Sequence, residues 1–136
     1  MHDTDDYDPS AAIKTGVAAI SAALADGASV LCHCQKGVSR SVCIVLAFLV
    51  ACRGMSLLDA LRLVRERRPV AYPRHAFLEA LIALEVAYRP GTPPSLPADV
   101  VRALHRDPRP SLQPAQRLPS PAEPSLAGGG HASWGQ

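Results

Sequence analysis

The residues best suited to chemistry lie together in one stretch, VLCHCQKGVSRS, at residues 30 to 41. Cys34 and Arg40 stand at the C-x5-R spacing, and the residues between them are Gln35, Lys36, Gly37, Val38 and Ser39. A loop of this length that leads into a helix points successive backbone N–H groups into one hollow, and the helix dipole adds positive charge there. Such a hollow binds a tetrahedral dianion, so the five loop residues and Arg40 are predicted to bind substrate.

Individual side chains of this stretch fit the same interpretation. Gly37 lets the backbone take a turn that side chains forbid, and the guanidinium of Arg40 can donate to two phosphoryl oxygens at once. The positive field lowers the pKa of a thiol at the start of the loop, which would make Cys34 a nucleophilic thiolate near neutral pH. The hydroxyl of Ser41 is expected to stabilise that thiolate or help it leave, and His33 to orient the loop by hydrogen bonding.

A strand before the loop and a helix after it are needed to position these residues. The short apolar run ASVLC, at residues 28 to 32, predicts a buried strand. A helix is predicted from about Ser39 to Arg53, closed by Gly54. Because this helix has almost no polar stripe, it should be central and covered on most sides.

Three other helices are predicted around the central one. The first runs from Asp8 and Pro9, an aspartate followed by proline, to Gly27. The second runs from Ser56, a serine three residues before an aspartate, to about Arg67. The third runs from near Pro73, where a proline marks the start, to Tyr88. Four arginines near the end of the helix that starts at Ser56 are predicted to form a solvated face, and these are Arg62, Arg65, Arg67 and Arg68. The alternative is that they form a basic rim that guides acidic substrates.

Composition divides the chain of 136 residues into two parts. Ten of its 13 prolines fall at or after Pro90, and three consecutive glycines follow at 128 to 130. Residues 1 to 89 are therefore predicted to form one domain, and residues 90 to 136 a disordered tail rich in proline, glycine and serine. The formal net charge of +2 argues neither for nor against a polyanionic partner.

The cysteines and the hydropathy pattern bear on the compartment. No signal peptide is visible, and the longest apolar run, residues 42 to 52, is too short to span a bilayer. Cysteines at 32, 34, 43 and 52 without secretory features favour a reducing environment. We therefore expect free thiols and an intracellular protein, cytoplasmic with the nucleus as a second compartment.

The stretch VLCHCQKGVSRS closely resembles the H-C-x-x-G-x-x-R-S/T signature of the cysteine-dependent protein phosphatases. The G-x-S-R-S pattern and the apolar helix after it resemble the dual-specificity phosphatase family. Similarity continues through R-R-P at residues 67 to 69 and P-x-x-x-F at residues 73 to 77, with Arg74 where the family usually has asparagine. The resemblance covers about residues 3 to 88. It implies the C-terminal part of an α/β domain of the protein tyrosine phosphatase superfamily, without the usual N-terminal half.

The resemblance also implies a two-step hydrolysis that needs no metal or organic cofactor. Cys34 would attack phosphorus to form a phosphocysteine while an upstream aspartate protonates the leaving oxygen, and the same aspartate would then activate water. The family pattern places Asp3 at the position of this aspartate. A short error in the register would instead assign the role to Asp5 or Asp6. The implied substrates are phosphotyrosine and phosphoserine or phosphothreonine in proteins; phosphoinositides and RNA 5′-phosphates are alternatives within the same chemistry.

Two other interpretations stay open at this point. Cys32, His33 and Cys34 could indicate zinc, although the sequence offers no second pair of ligands at the usual spacing. A non-catalytic fragment that keeps the phosphate loop and binds without turnover is the second function. The expected partners are phosphorylated proteins, with no nucleic acid and no membrane span, and the tail is a candidate for protein contacts.

Overall fold

The computed structural model of the protein describes residues 8 to 97 and 99 to 102. Between residues 8 and 97 the chain forms four helices, which are α1 (Ser10–Ala25), α2 (Arg40–Arg53), α3 (Leu57–Arg67) and α4 (His75–Tyr88). Helix α2 contacts each of the other three. The central position predicted from its apolar sequence is therefore confirmed.

The helix ends lie within two residues of their predicted positions, and capping explains why. The carboxylate of Asp8 accepts a hydrogen bond from the backbone N–H of Ser10 at 2.9 Å, so Pro9 becomes the residue before the helix rather than its first residue. Ser56 Oγ accepts from the N–H of Asp59 at 3.1 Å. Gly54 ends α2 with a φ of 65°, which glycine adopts without a steric penalty.

One hydrophobic core joins the four helices. Its centre is the inward face of α2, where Cys43, Leu46 and Ala47 are completely buried. The residues packed against that face come from all three other helices and include Ile13, Leu57, Leu61, Phe77, Leu78 and Leu81. Burial of this apolar surface is the main force that holds the helices in place, and it fixes the start of α2 beside the loop at residues 34 to 39.

The buried strand predicted at residues 28 to 32 is wrong for the part of the chain that the structure describes. This segment is not in a strand there, Val30 is 39% exposed and Leu31 is 86% exposed. A strand requires a neighbour whose N–H and C=O groups complete the hydrogen-bonded ladder. The apolar run indicates a surface suited to burial, but a local pattern cannot say whether a neighbouring strand is present. The α/β expectation is thus reduced to an all-helical arrangement in the described residues.

The packed region also continues past the boundary predicted at Pro90. Leu96 is only 4% exposed and belongs to the core. Ser95 Oγ accepts a hydrogen bond from the N–H of Leu58 at 2.9 Å, which ties this segment to the first turn of α3. Prolines restrict the backbone without preventing a single leucine from packing, so core contacts extend past the boundary that composition predicts. The remainder of the predicted tail, residues 103 to 136, lies outside the described residues.

A buried carboxylate, which the sequence pattern did not predict, holds the start of α3. Glu85 of α4 is 2% exposed and accepts hydrogen bonds from the N–H of Leu57 at 2.8 Å and of Ser95 at 2.9 Å. Burial acts to raise the pKa of Glu85, but these hydrogen bonds and the nearby charge of Arg89 outweigh it and lower the pKa. The charged side chain therefore fixes the N-terminus of α3, where a negative charge is favoured.

Two further sequence expectations can be compared with the described residues. All four cysteines are free thiols, as predicted. None of the helices that the structure describes is long and apolar enough to cross a membrane.

Candidate active site

The loop at residues 34 to 39 is held from outside through its backbone carbonyl groups. Arg68 donates from Nε to the oxygen of Gly37 at 2.7 Å and from Nη2 to the oxygen of Lys36 at 3.0 Å. The backbone N–H of Tyr72 donates to the oxygen of Val38 at 2.7 Å. Gly37 has a φ of 63°, the turn that its position predicted. Since the N–H and C=O of a trans peptide point in opposite directions, carbonyls bound on the outside leave the N–H groups facing inward.

Cys34 is the thiol to which one of these inward groups, the N–H of Gly37, donates a hydrogen bond. Burial by itself would raise its pKa, but the Ser41 hydroxyl, which donates to Sγ at 3.3 Å, and the backbone N–H groups of Ser41, Gly37 and Lys36 lower the pKa to about 6. At pH 7 a group with that pKa is about tenfold more thiolate than thiol. Cys34 is therefore mostly thiolate at neutral pH, which is the form in which a thiol is nucleophilic.

Two nearby thiols have the opposite character. Burial, followed by the charge of Cys34, raises the pKa of Cys32, whose Sγ donates to the carbonyl oxygen of Ser41 at 3.6 Å. Burial raises the pKa of Cys43 to about 12. Position relative to the loop, rather than the presence of a cysteine, thus decides which thiol is reactive.

Cys34 lines two hollows. The first, of about 500 Å³, brings three cationic side chains together with the loop, and it is lined by Cys34, Gln35, Lys36, Val38, Ser39, Arg40, Tyr72 and Arg74. The second, of about 410 Å³, is more apolar and is lined by Cys32, His33, Cys34, Lys36, Gly37, Ser41, Val42, Val45, Val64 and Arg68. The first hollow is the one suited to an anion, because cations and loop residues surround it.

The structure brings most of the predicted site residues together. Cys34, Arg40 and four of the five loop residues line the first hollow, and Gly37 lines the second. Ser41 contacts the thiol directly. His33 is exposed and lines the second hollow, and among the described residues no hydrogen bond from it to the loop is seen. Asp3, Asp5 and Asp6 lie outside the described residues.

Three residues near the loop were not predicted to take part in the site. Arg68 was interpreted as part of a solvated face, yet it binds two loop carbonyls. Tyr72 binds a third, and the backbone N–H of Arg74 donates to Ser39 Oγ at 3.2 Å. The available signal was the R-R-P and P-x-x-x-F elements, which mark this segment without saying what it touches.

The zinc interpretation of the C-x-C sequence receives no support from the geometry. Among the described residues, no group of three or more histidine, cysteine or acidic side chains is placed to hold a metal ion. Cys32 and Cys34 are instead engaged with the carbonyl oxygen and the hydroxyl of Ser41.

Comparison with known proteins now adds to this geometry. A family model described as "Dual specificity phosphatase, catalytic domain" matches residues 1–87. The chain is 40% identical over 93 residues to dual specificity protein phosphatase Mpk3 of Drosophila melanogaster, covering 65% of this chain and 23% of that protein. It is 51% identical over 59 residues to dual specificity protein phosphatase 1 of Arabidopsis thaliana, covering 43% and 30%. The chain therefore spans less than a third of either relative.

Solved structures show the same likeness. Human DUSP28 superimposes with a TM-score of 0.62 at 34% identity, covering 64% of this chain and 59% of that chain. A mouse putative dual specificity phosphatase complexed with zinc tungstate gives a TM-score of 0.61 at 36% identity, covering 63% and 54%. Sequence and structure comparisons thus agree on one fold.

Proposed function

Because the chain belongs to the dual specificity phosphatase catalytic-domain family, we propose that it hydrolyses phosphotyrosine and phosphoserine or phosphothreonine in proteins through a phosphocysteine on Cys34. The observation that carries the proposal is the hydrogen bonding around that thiol, where Ser41 and three backbone N–H groups lower its pKa to about 6. A thiolate at the edge of a cationic hollow is what attack on a phosphate ester requires.

In the first step the Cys34 thiolate attacks phosphorus, and the bond from phosphorus to the leaving oxygen breaks. Arg40 and the inward N–H groups of the loop bind the other phosphoryl oxygens, whose charge is best stabilised by donors already in place. Asp3 is the proposed general acid that protonates the leaving oxygen, an assignment that rests on the family register. Asp5 and Asp6 are its alternatives.

In the second step a water molecule attacks the phosphocysteine. The aspartate, now ionised, takes the proton of the water, the S–P bond breaks, and inorganic phosphate leaves. Cys34 departs as a thiolate, and the hydroxyl of Ser41, 3.3 Å from Sγ, is placed to stabilise it. The low pKa of Cys34 thus favours the thiolate both as the nucleophile of the first step and as the leaving group of the second.

The charge of the first hollow supports an anionic substrate. Lys36, Arg40 and Arg74 surround it, so an anionic group on a protein side chain is attracted to its mouth. Phosphoinositides and RNA 5′-phosphates remain alternative substrates for the same chemistry. The proposed setting is intracellular, in the cytoplasm with the nucleus as a second compartment, and the proposed partners are phosphorylated proteins.

Hydrolysis of a nitrophenyl phosphate and of phosphotyrosine and phosphoserine peptides tests the proposal. Cys34→Ser should reduce turnover to background and still bind inorganic phosphate or vanadate, because the loop N–H groups and Arg40 remain. Cys52→Ser is the matched control: Cys52 is an exposed thiol on α2 away from the loop, so its loss should leave turnover within about twofold. Hydrolysis retained in Cys34→Ser would overturn the mechanism.

A second function, phosphate-dependent binding without turnover, is favoured by one specific observation. The segment that leads into Cys34 is packed poorly, as the 86% exposure of Leu31 shows. If the nucleophile were held too loosely for attack, the hollow would bind phosphorylated ligands only. Wild-type protein that binds phosphate but hydrolyses none of the three substrates would identify this function.

A further inference from the structure

Arg68 reaches across the molecule to the loop that holds the nucleophile. It is the first residue after α3, it is exposed, and it lies 31 and 32 residues from the two loop residues that it contacts. Its Nε and Nη2 donate to the carbonyl oxygens of Gly37 and Lys36 at 2.7 and 3.0 Å. The planar guanidinium of arginine can donate to two consecutive carbonyl groups at once, and the ammonium group of lysine does not provide this geometry.

Each carbonyl that Arg68 holds belongs to a peptide group whose N–H is on the opposite side. The oxygen of Lys36 shares its peptide plane with the N–H of Gly37, and the oxygen of Gly37 shares its plane with the N–H of Val38. The N–H of Gly37 is one of the donors that stabilise the thiolate of Cys34. Fixing the oxygens outward therefore fixes these hydrogens inward.

We propose that Arg68 is a positioning residue: it orients the peptide groups after Lys36 and Gly37 so that their N–H groups face the thiolate and the bound phosphoryl group. It lines the second hollow, not the one that Arg40 lines, so it acts through the loop and not on the phosphoryl group. The consequence for catalysis rests on the proposed function, whereas the consequence for Cys34 does not.

Several other contacts keep Arg68 in place. Its own N–H donates to the oxygen of Val64 and its oxygen accepts from the N–H of Ala71, at 2.8 and 2.9 Å. Gly37 leaves room for the guanidinium, since a Cβ there would stand 3.1 Å from Nη2. Glycine thus suits this turn through its φ, and the absence of a Cβ leaves the guanidinium of Arg68 uncrowded.

The test compares Arg68→Ala with Arg67→Ala. Arg67 is the preceding residue and is also exposed, so both variants lose one positive charge at nearly the same place while only the first loses the two hydrogen bonds. Neither change opens a cavity in the core, and circular dichroism and thermal melting verify the fold. Arg68→Met, which keeps the length of the side chain and removes every donor, replaces Arg68→Ala if the latter does not fold.

The first readout is the pH dependence of Cys34 alkylation by iodoacetamide, corrected with Cys34→Ser for the other thiols. The ionisable or charged groups around the thiolate are Cys32, His33, Lys36, Arg40, Arg68, Tyr72 and Arg74. Because the other six are unchanged in Arg68→Ala, we expect the midpoint to rise by about one pH unit, the size expected for weakened hydrogen bonds to a charged group. Arg67→Ala should move it by less than about 0.3 units, as expected for screened surface charge.

The second readout is the affinity for inorganic phosphate and vanadate, which should fall about tenfold in Arg68→Ala and stay within about twofold in Arg67→Ala. Arg68→Lys, which keeps the charge without the planar guanidinium, should recover only part of either loss. An unchanged midpoint and affinity in folded Arg68→Ala, or equal changes in Arg67→Ala, would overturn the inference. If the wild-type protein has no turnover and its Cys34 midpoint still depends on Arg68, the proposed function is overturned and this inference stands. If the protein has turnover that does not depend on Arg68, this inference is overturned and the proposed function stands.

Discussion

The two sides of the loop at residues 34 to 39 are packed very differently. On the side after it, Val42, Cys43 and Leu46 of α2 are at most 4% exposed. On the side before it, Val30 and Leu31 are 39% and 86% exposed. Cys34 stands where the two sides meet, so its environment shows which side makes the thiol reactive.

Each hydrogen bond that lowers the pKa of Cys34 comes from the loop or from α2, because the donors are Lys36, Gly37 and Ser41. The exposed segment supplies the chain connection and, through Cys32, a thiol whose own pKa is raised. The hydrogen bonds that lower the pKa of Cys34 thus come from the loop and from α2, and none of them comes from the exposed segment before the loop. The difference teaches that the pKa of a thiol can be lowered from one side while apolar surface is still uncovered on the other.

The largest effect is expected at Arg40, the first residue of α2. Arg40→Lys keeps the charge but loses the planar pair of donors, so phosphoryl oxygens lose a preorganised partner. We expect kcat/KM to fall on the order of a hundredfold or more, measured with a nitrophenyl phosphate. A variant within threefold of the wild type would show that the packed side does not supply the phosphoryl-binding cation.

Asp3 tests the part of the chain before the loop. A general acid matters most for a poor leaving group, so Asp3→Asn should slow hydrolysis of a phosphoserine peptide or phenyl phosphate about a hundredfold. A nitrophenyl ester, whose leaving group departs without a proton, should be affected by less than about threefold. Asp5→Asn and Asp6→Asn are matched controls, and the selective pattern in either of them would transfer the general acid to that residue.

Ser41 sharpens the comparison through pH. Its hydroxyl donates to Cys34 and lowers the pKa of that thiol, so Ser41→Ala should raise the midpoint of alkylation from about 6 toward the ordinary thiol value. As pH falls through the midpoint the thiolate is protonated; the acid limb of kcat/KM should therefore move to higher pH, with a loss of about tenfold below pH 6 and less above pH 8.

The control for this prediction is Ser21→Ala. Ser21 of α1 pairs with the Cys52 sulfur at 3.3 Å, away from the loop, so its removal should leave the Cys34 midpoint unchanged. An unchanged midpoint in Ser41→Ala would mean that the backbone N–H groups alone set the pKa of Cys34.

What the sequence could predict follows the same division. The ends of α2 and α3 and the turn at Gly37 depend on a few neighbouring residues, such as Gly54 and Ser56, and a local pattern is enough to find them. The loop carbonyls that Arg68 binds, and the N–H of Leu57 that Glu85 binds, are 28 to 32 residues away along the chain. A helical pattern says which face is polar and not what a polar side chain on that face will reach.

The strand prediction failed for a related reason. The apolar run at residues 28 to 32 indicates a tendency to be buried. A strand, however, forms only where a neighbouring strand completes its backbone hydrogen bonds. The role of Asp3 rests entirely on a family register, because that residue lies outside the described part of the chain. Chemistry built by adjacent residues was therefore predictable, and chemistry that depends on distant residues was not.

The smallest effect on stability is expected at Leu31, and it decides whether the exposed side is exposed in solution. Leu31→Ser removes a side chain that is 86% exposed, so the free energy of unfolding should change by less than about 0.5 kcal/mol. Binding of a hydrophobic dye should fall, because an exposed apolar side chain has been replaced by a polar one. Leu46→Ala on the packed side is the contrast, with an expected loss of about 2–5 kcal/mol from the core. A loss of stability above about 1 kcal/mol in Leu31→Ser would lie outside the usual range for exposed positions. It would show that this leucine is covered in solution, either by residues outside the described part of the chain or by a second molecule. The contrast between the two sides of the loop would then disappear.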